Sequence, residues 1–241
     1  MVLGFRGLND FSPKPKGIRL SAAARPHFTS SISGNHFIAP DDFATVYSLK
    51  PLYDQGTDGS GQTIAVMGQT DLVLSDIQTF RSVSGLSTGS LQAVLIPGSP
   101  DPGVLTSDIV EADLDVEWAG AVARGAAITF VNSTNVFDSL QYAIDQNVAP
   151  VISISYGDCE QNFSAAELNS LSSLTQQANA QGITVVGASG DSGAADCDYP
   201  TSSTVVSSAT HGLAVDVPAS IPNVTGIGGT QFSDTSNASL Y

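Results

Sequence analysis

The sequence predicts an α/β fold: a doubly wound, mainly parallel sheet with helices on both faces. Five short apolar runs, rich in β-branched residues and closed by Gly, Pro or Asn, recur along the chain, with helix-like stretches between them. The runs are continuously apolar, the pattern of strands buried on both faces. With 241 residues, 41% of them hydrophobic, and a mean hydropathy of +0.11, the chain can fill such a core.

Residues 1–35 carry no hydrophobic periodicity and are rich in Ser, Pro, Gly and basic residues, so they read as a linker or tail. From residue 36 the strand candidates are TIAVMG (63–68), LQAVLIPG (91–98), AAITFVN (126–132), APVISISYG (149–157) and GITVVGASG (182–190). The helix candidates are LSDIQTFRSVSG (74–85), SDIVEADLDVEWAGAVARG (107–125), VFDSLQYAIDQ (136–146) and SAAELNSLSSLTQQANAQG (164–182). In open α/β sheets chemistry collects at the carboxyl ends of strands. SYGDCE and ASGDSG are both strand-exit loops.

The formal charge is −15, and it is unevenly spread. Five of the eight basic residues lie in residues 1–35 beside one acid, which leaves −19 on residues 36–241. So acidic a surface repels phosphate backbones and argues against nucleic-acid partners. It suits low pH, where protonation relieves the repulsion, and it also serves plain solubility. No apolar run approaches a membrane span, and Met1 is not followed by a signal peptide. An exported protein would therefore carry its signal outside these residues. Cys159 and Cys197 read either as one disulfide or as two buried thiols, and without further Cys or His nearby they are poor zinc ligands.

The helix candidate at 107–125 has Ser107 or Asp108 as a natural cap and Gly125 as a stop. At about 100° per residue, Glu111 and Asp115 stand one turn apart with Ala112, Trp118, Ala119 and Val122. Asp113 and Glu117 point the other way with Arg124, as an ordinary solvated face. Two carboxyls one turn apart on an apolar face repel and are partly desolvated, so at least one pKa rises, as general acid–base work needs. The plain alternative is a helix end whose acids favour the dipole.

Gly190-Asp191-Ser192-Gly193 resembles the frame of a chymotrypsin-type serine, but that reading needs an all-β chain and a histidine base. His27 and His36 lie in or beside the linker, and spacing suggests no acid partner for His211. Asp191, ending a buried strand, is the more chemical residue: kept protonated, it can donate to an oxyanion. Otherwise it caps a turn.

EADLDVEWAGAVARGAAITFV, VISISYG, VVGASGDSG and NVTGIGGTQF resemble, in order, the blocks of the sedolisins, serine-carboxyl peptidases with a subtilisin-like fold. The stretch from His36 to Asp71 is similar to the start of their catalytic domain, and GLNDFSPKP to the end of their propeptide. The resemblance implies a propeptide tail and activation linker over 1–35 and the N-terminal portion of a peptidase domain over 36–241, C-terminally incomplete. It places the base on Glu111, the aspartate that orients it on Asp115 and the oxyanion aspartate on Asp191. The nucleophile belongs to a later Gly-Thr-Ser block that the sequence does not contain; Gly229-Thr230 is followed by Gln231. The family's calcium loop is likewise expected beyond these residues. Some relatives carry an acid after the first strand and a tryptophan in the Ser-x-Gly strand; here Gly68 and Tyr156 align, so the likeness covers the Glu–Asp pair and not a wider carboxylate network.

The implied function is acyl transfer at acid pH by a secreted serine-type endopeptidase acting on polypeptides, a monomer when complete. Ser155, Tyr156 and Gly157 would offer backbone to an extended substrate, and Cys159 and Cys197 would form a disulfide. Two readings compete with it. One is an inactive fragment or pseudopeptidase that grips a peptide or partner. The other is a nucleotide-binding domain using GASGDSG as a phosphate loop, which lacks both Gly-x-Gly-x-x-Gly and a P-loop lysine.

Overall fold

The computed structural model describes residues 14–15, 28–29, 36–198 and 208–230. The remainder of the linker and the Gln231 position lie outside the described residues. In chain order the elements are β1 (Lys14–Pro15), β2 (Phe28–Thr29), β3 (His36–Phe37), α1 (Pro40–Val46), α2 (Lys50–Asp54), β4 (Thr63–Gly68), α3 (Leu74–Val83), β5 (Ser90–Leu95) and α4 (Ile109–Val122). There follow β6 (Ala127–Asn132), α5 (Val136–Asp145), β7 (Val151–Ile154), β8 (Tyr156–Cys159), α6 (Ala165–Ala180), β9 (Thr184–Ala188), β10 (Asp216–Val217) and β11 (Val224–Ile227).

Six strands form one wholly parallel sheet in the order β11-β9-β7-β4-β6-β5. The chain starts in the middle at β4, builds outward to β5 and β6, then returns to β7, β9 and β11 on the other side. The strand order reverses between β4 and β7, and in doubly wound sheets the crevice above such a reversal is where ligands meet loops.

Side chains alternate along each strand, so a continuously apolar strand feeds both faces. Val66, Ile128 and Phe130 pack with Ile77, Ala112 and Val116 under α3 and α4. Met67, Val131 and Ile152 pack with Phe137, Leu140, Ile144 and Leu174 under α5 and α6. Ser164 closes a capping box with Glu167 at the start of α6, and Asn135 caps α5 through the Phe137 N–H.

The sequence pattern misses α1 and α2. Both are under two turns long and carry a proline at their first or second position, and Phe43 of α1 stacks near Tyr47 and Trp118, so tertiary packing rather than periodicity holds α1. The single predicted strand over 149–157 is two. The chain breaks at Ser155, leaving β7 in the parallel sheet and sending β8 into an antiparallel sheet between β1 and β10. Cys159 and Cys197 are joined as a disulfide, tying β8 to the loop after β9.

Gly68 ends β4 with the Phe130 ring where a Cβ would stand. Gly68→Ala is therefore expected to destabilise the chain by about 1–3 kcal/mol, read by urea unfolding, with Phe130→Leu in the same chain recovering part of the loss.

Candidate active site

Three segments converge at the carboxyl edge of the sheet: the first turns of α4, the Ser155 junction and the loop leaving β9. Helix α4 begins here because the chain leaves β5 at this edge and must run back beneath the sheet. Its N-cap is Asp108, whose buried carboxylate makes no capping bond. Asp108 instead accepts a 2.7 Å hydrogen bond from Gln69 Nε2, and Gln69 Oε1 takes the Val136 N–H at 3.3 Å.

Glu111 follows one turn later and is only 6% exposed. Burial is the main cause that pushes its carboxyl up to about 8, and the negative charges of Asp115 and Asp191 add to it. Asp115 is raised to about 7, again by burial, with the Ser155 hydroxyl working the other way. That hydroxyl donates to Asp115 Oδ1 at 2.7 Å, while Oδ2 is closed to solvent and has no hydrogen-bond partner among the described residues. Glu111, Asp115, Asp191 and Ser155 thus share one corner, from stretches separated by dozens of residues.

The loop bearing Asp191 is set by its own backbone. Gly190 adopts φ +101°, a conformation that favours glycine, and the buried Asp196 carboxylate lies where its Cβ would be. Ser189 is gripped on both sides, donating its N–H to Ile227 O at 3.0 Å and accepting the Asp216 N–H at 3.3 Å. Asp191 itself is exposed on this loop, and the Ser192 carbonyl accepts the Ala195 N–H at 3.1 Å in a tight turn. On β8, Tyr156 and Gly157 face Pro15 and Lys14 of β1 in antiparallel register.

Two sequence expectations are corrected here. His211 does have an acid partner: its Nδ1 lies 2.7 Å from Asp198 Oδ1, brought near by the fold across 13 residues. Asp113 and Glu117 are not a plain solvated face shared with Arg124. Burial, with neighbouring negative charge, lifts Asp113 to about 6 and Glu117 to about 7, and Asp76 of α3 contributes to both. Arg124 pairs instead with Asp41 at 2.6 Å and lies over the Tyr53 ring. Sequence reasoning also passed over Gln69 and read Asp108 only as a cap. A polar residue directly after a buried strand, and a cap residue three before the glutamate, were the available signals.

The comparisons with known proteins bear on the family of the chain. The subtilase family model matches residues 106–240, from the start of α4 onward. The chain belongs to the subtilase family. Its relatives place it in the sedolisin branch. It is 30% identical to kumamolisin of Bacillus sp. (strain MN-32) over 237 residues, covering 90% of this chain and 40% of that protein. It is 30% identical to sedolisin of Pseudomonas sp. (strain 101) over 253 residues, covering 98% and 40% respectively. Among solved structures it resembles Pseudomonas sedolisin, a serine-carboxyl proteinase complexed with two molecules of pseudo-iodotyrostatin, with TM-score 0.66 and 28% identity over 88% of this chain and 56% of that one. The chain therefore spans 40% of the length of these curated relatives.

At Gly68, where the resemblance points to an acid in some relatives, the structure leaves no room for a side chain. The Phe130 ring fills the space that an acidic side chain at that position would need. Among the described residues no group of three or more acidic, His or Cys side chains is placed to hold a metal ion. The calcium implied by the resemblance belongs to a loop expected beyond these residues. No helix of the described residues is long and apolar enough to cross a membrane.

Glu111, Asp113, Asp115 and Glu117 all titrate above their ordinary values, so folding favours their protonated forms. That stability is fully present below the ordinary carboxyl values, 3.8 and 4.5, and is lost as pH rises through about 6 to about 8. The melting temperature is expected to fall steadily between pH 4 and pH 8 in scanning calorimetry, and a Glu111→Gln chain should show a shallower fall.

Proposed function

We propose that this chain carries the acid–base half of a sedolisin-type serine peptidase that cleaves polypeptides by acyl transfer at acid pH. The observation that supports it best is the buried Glu111–Asp115 pair, tied to Ser155 and standing near Asp191 at the carboxyl edge of the sheet. In this reading Glu111 takes the proton of a serine hydroxyl as that oxygen attacks the scissile carbonyl. Asp115, fixed by Ser155, orients Glu111. A protonated Asp191 donates to the tetrahedral oxyanion, and Glu111 then returns its proton to the leaving amine. The nucleophile is the serine of the family's Gly-Thr-Ser block, which residues 1–241 do not contain.

Ser155, Tyr156 and Gly157 bind substrate as an added strand in this reading. Antiparallel pairing of Lys14 with Gly157 and of Pro15 with Tyr156 supports it, since an extended piece of the chain's own N-terminal segment already lies on that edge. Residues 1–35 are accordingly the propeptide tail and activation linker, and 36–241 the first part of the peptidase domain. The disulfide fits an oxidising compartment, and hence export. A non-catalytic peptide-binding module is the second reading, favoured by the extended β1 segment that pairs with Tyr156 and Gly157.

Sequencing the gene past the Tyr241 codon and expressing the longer product tests the proposal. With the serine present, Glu111→Gln should lower kcat at acid pH by about 10²–10⁴-fold and Asp191→Asn by about 10²–10³-fold, both with little change in KM. The 241 residues alone should not turn over, and acid proteolysis by a pure sample of them would refute the assignment of roles.

Deleting residues 1–35 should tighten binding of an extended peptide, measured by fluorescence anisotropy. Equal affinity with and without them would show that β1 does not occupy the substrate edge.

A further inference from the structure

The loop leaving β4 is the polar junction between the two helical layers. β4 lies inside the sheet, between β6 and β7, with α4 packed on one face and α5 on the other. Gln69 directly follows its last residue, Gly68, and is 5% exposed. One end of its side chain donates to Asp108 Oδ2 at 2.7 Å, and the other accepts the Val136 N–H at 3.3 Å. Asp108 opens α4, and Val136 is the first residue of α5. A single buried amide therefore ties together the starts of two helices that lie on opposite faces of the sheet.

That task dictates the residue type. The Asp108 carboxylate needs a donor, and the Val136 N–H, one of the orphan amides of a helix start, needs an acceptor. A side-chain amide offers both at once, whereas an ionised glutamate cannot donate and a lysine or arginine cannot accept. From Asp108 the tie continues through the backbone into the candidate base. The Asp108 carbonyl accepts the N–H groups of Glu111 and Ala112, each at 3.0 Å. An unbroken path thus leads from α5 through Gln69 and Asp108 to the peptide that carries Glu111. Thr70 and Asp71 secure the approach to the helix: the Leu105 N–H donates to Thr70 Oγ1 at 2.8 Å, and the Asp71 N–H to Gly103 O at 2.9 Å. These two grip the chain entering α4, while Gln69 reaches across to α5.

We propose that Gln69 is a positioning residue: it braces the first turn of α4 against the start of α5 and so sets where Glu111 stands at the carboxyl edge of the sheet. This rests on the reading of Glu111 as the base. Gln69 acts through Asp108 and not on the reacting atoms.

The test compares the wild-type 241-residue chain with Gln69→Met, which keeps the length of the side chain and removes both bonds. Amide hydrogen exchange and a carboxyl-carbon NMR titration with labelled Asp and Glu are read on each. The Glu111 and Ala112 amides are expected to exchange several-fold faster, and the proton affinity of Glu111 to fall several-fold as water reaches its turn. Asp113 and Glu117, on the α3 side of the helix, and the amides of β6 should stay as they were. Unchanged exchange at Glu111 and Ala112, or an unmoved Glu111 midpoint, would overturn the proposal. So would equal movement of Glu111, Asp113 and Glu117, which means general loosening. If Gln69→Met does not fold, a swap of partners replaces it. Gln69→Glu alone sets carboxylate against carboxylate, while Gln69→Glu with Asp108→Asn restores one donor, one acceptor and the bond to Val136. Protection of the Glu111 and Ala112 amides should be lost in the single variant and return in the double; any other pattern overturns the proposal. Neither measurement needs turnover, so the brace can fail while the Glu111→Gln kinetics of the longer product hold, and the reverse.

Discussion

Two carboxyl groups one helical turn apart cannot both be charged where water is shut out, and this constraint shapes the corner around Glu111 and Asp115. They are shut in because α4 packs Ala112 and Val116 against the sheet, which turns the same face of its first turns toward the strand exits. The sheet must therefore be in place before the pair has any unusual chemistry. An isolated α4 peptide would present two ordinary, solvated acids.

Polar groups from distant segments then serve what the helix cannot satisfy by itself. Ser155 interrupts an apolar run, so the chain leaves the parallel sheet there and its hydroxyl meets Asp115. Gln69 reaches from the end of β4 to Asp108, which gives up its capping bond to hold that contact. Gly190 lets the next strand-exit loop turn, with Asp196 packed behind it. The break in the strand and the uncapped helix are each a local cost, and both fall at the candidate site, where such departures are expected.

The acid content of the chain acquires a second meaning in the same way. A net charge of −15 fits solubility as well as low pH. Buried or half-buried carboxyls on both sides of α4, Asp113 and Glu117 beside Asp76 and Glu111 beside Asp115, favour the protonated state. The fold, rather than the total charge, is what makes acid solution the favourable one.

The sequence alone determined the layered α/β class, the four long helices within about three residues at each end, the pairing of Glu111 with Asp115 on one face and the likeness to the sedolisins. These rest on periodicities and blocks that fit inside windows of some twenty residues, where spacing fixes direction. Tertiary structure decided which neighbours those faces meet. Ser155 lies 40 residues from Asp115 and Gln69 lies 39 from Asp108, and no local period encodes such pairings. The far side of α4 was misread for the same reason: a helix pattern shows which acids share a side, but only packing against α3 shows that this side is half-closed to water.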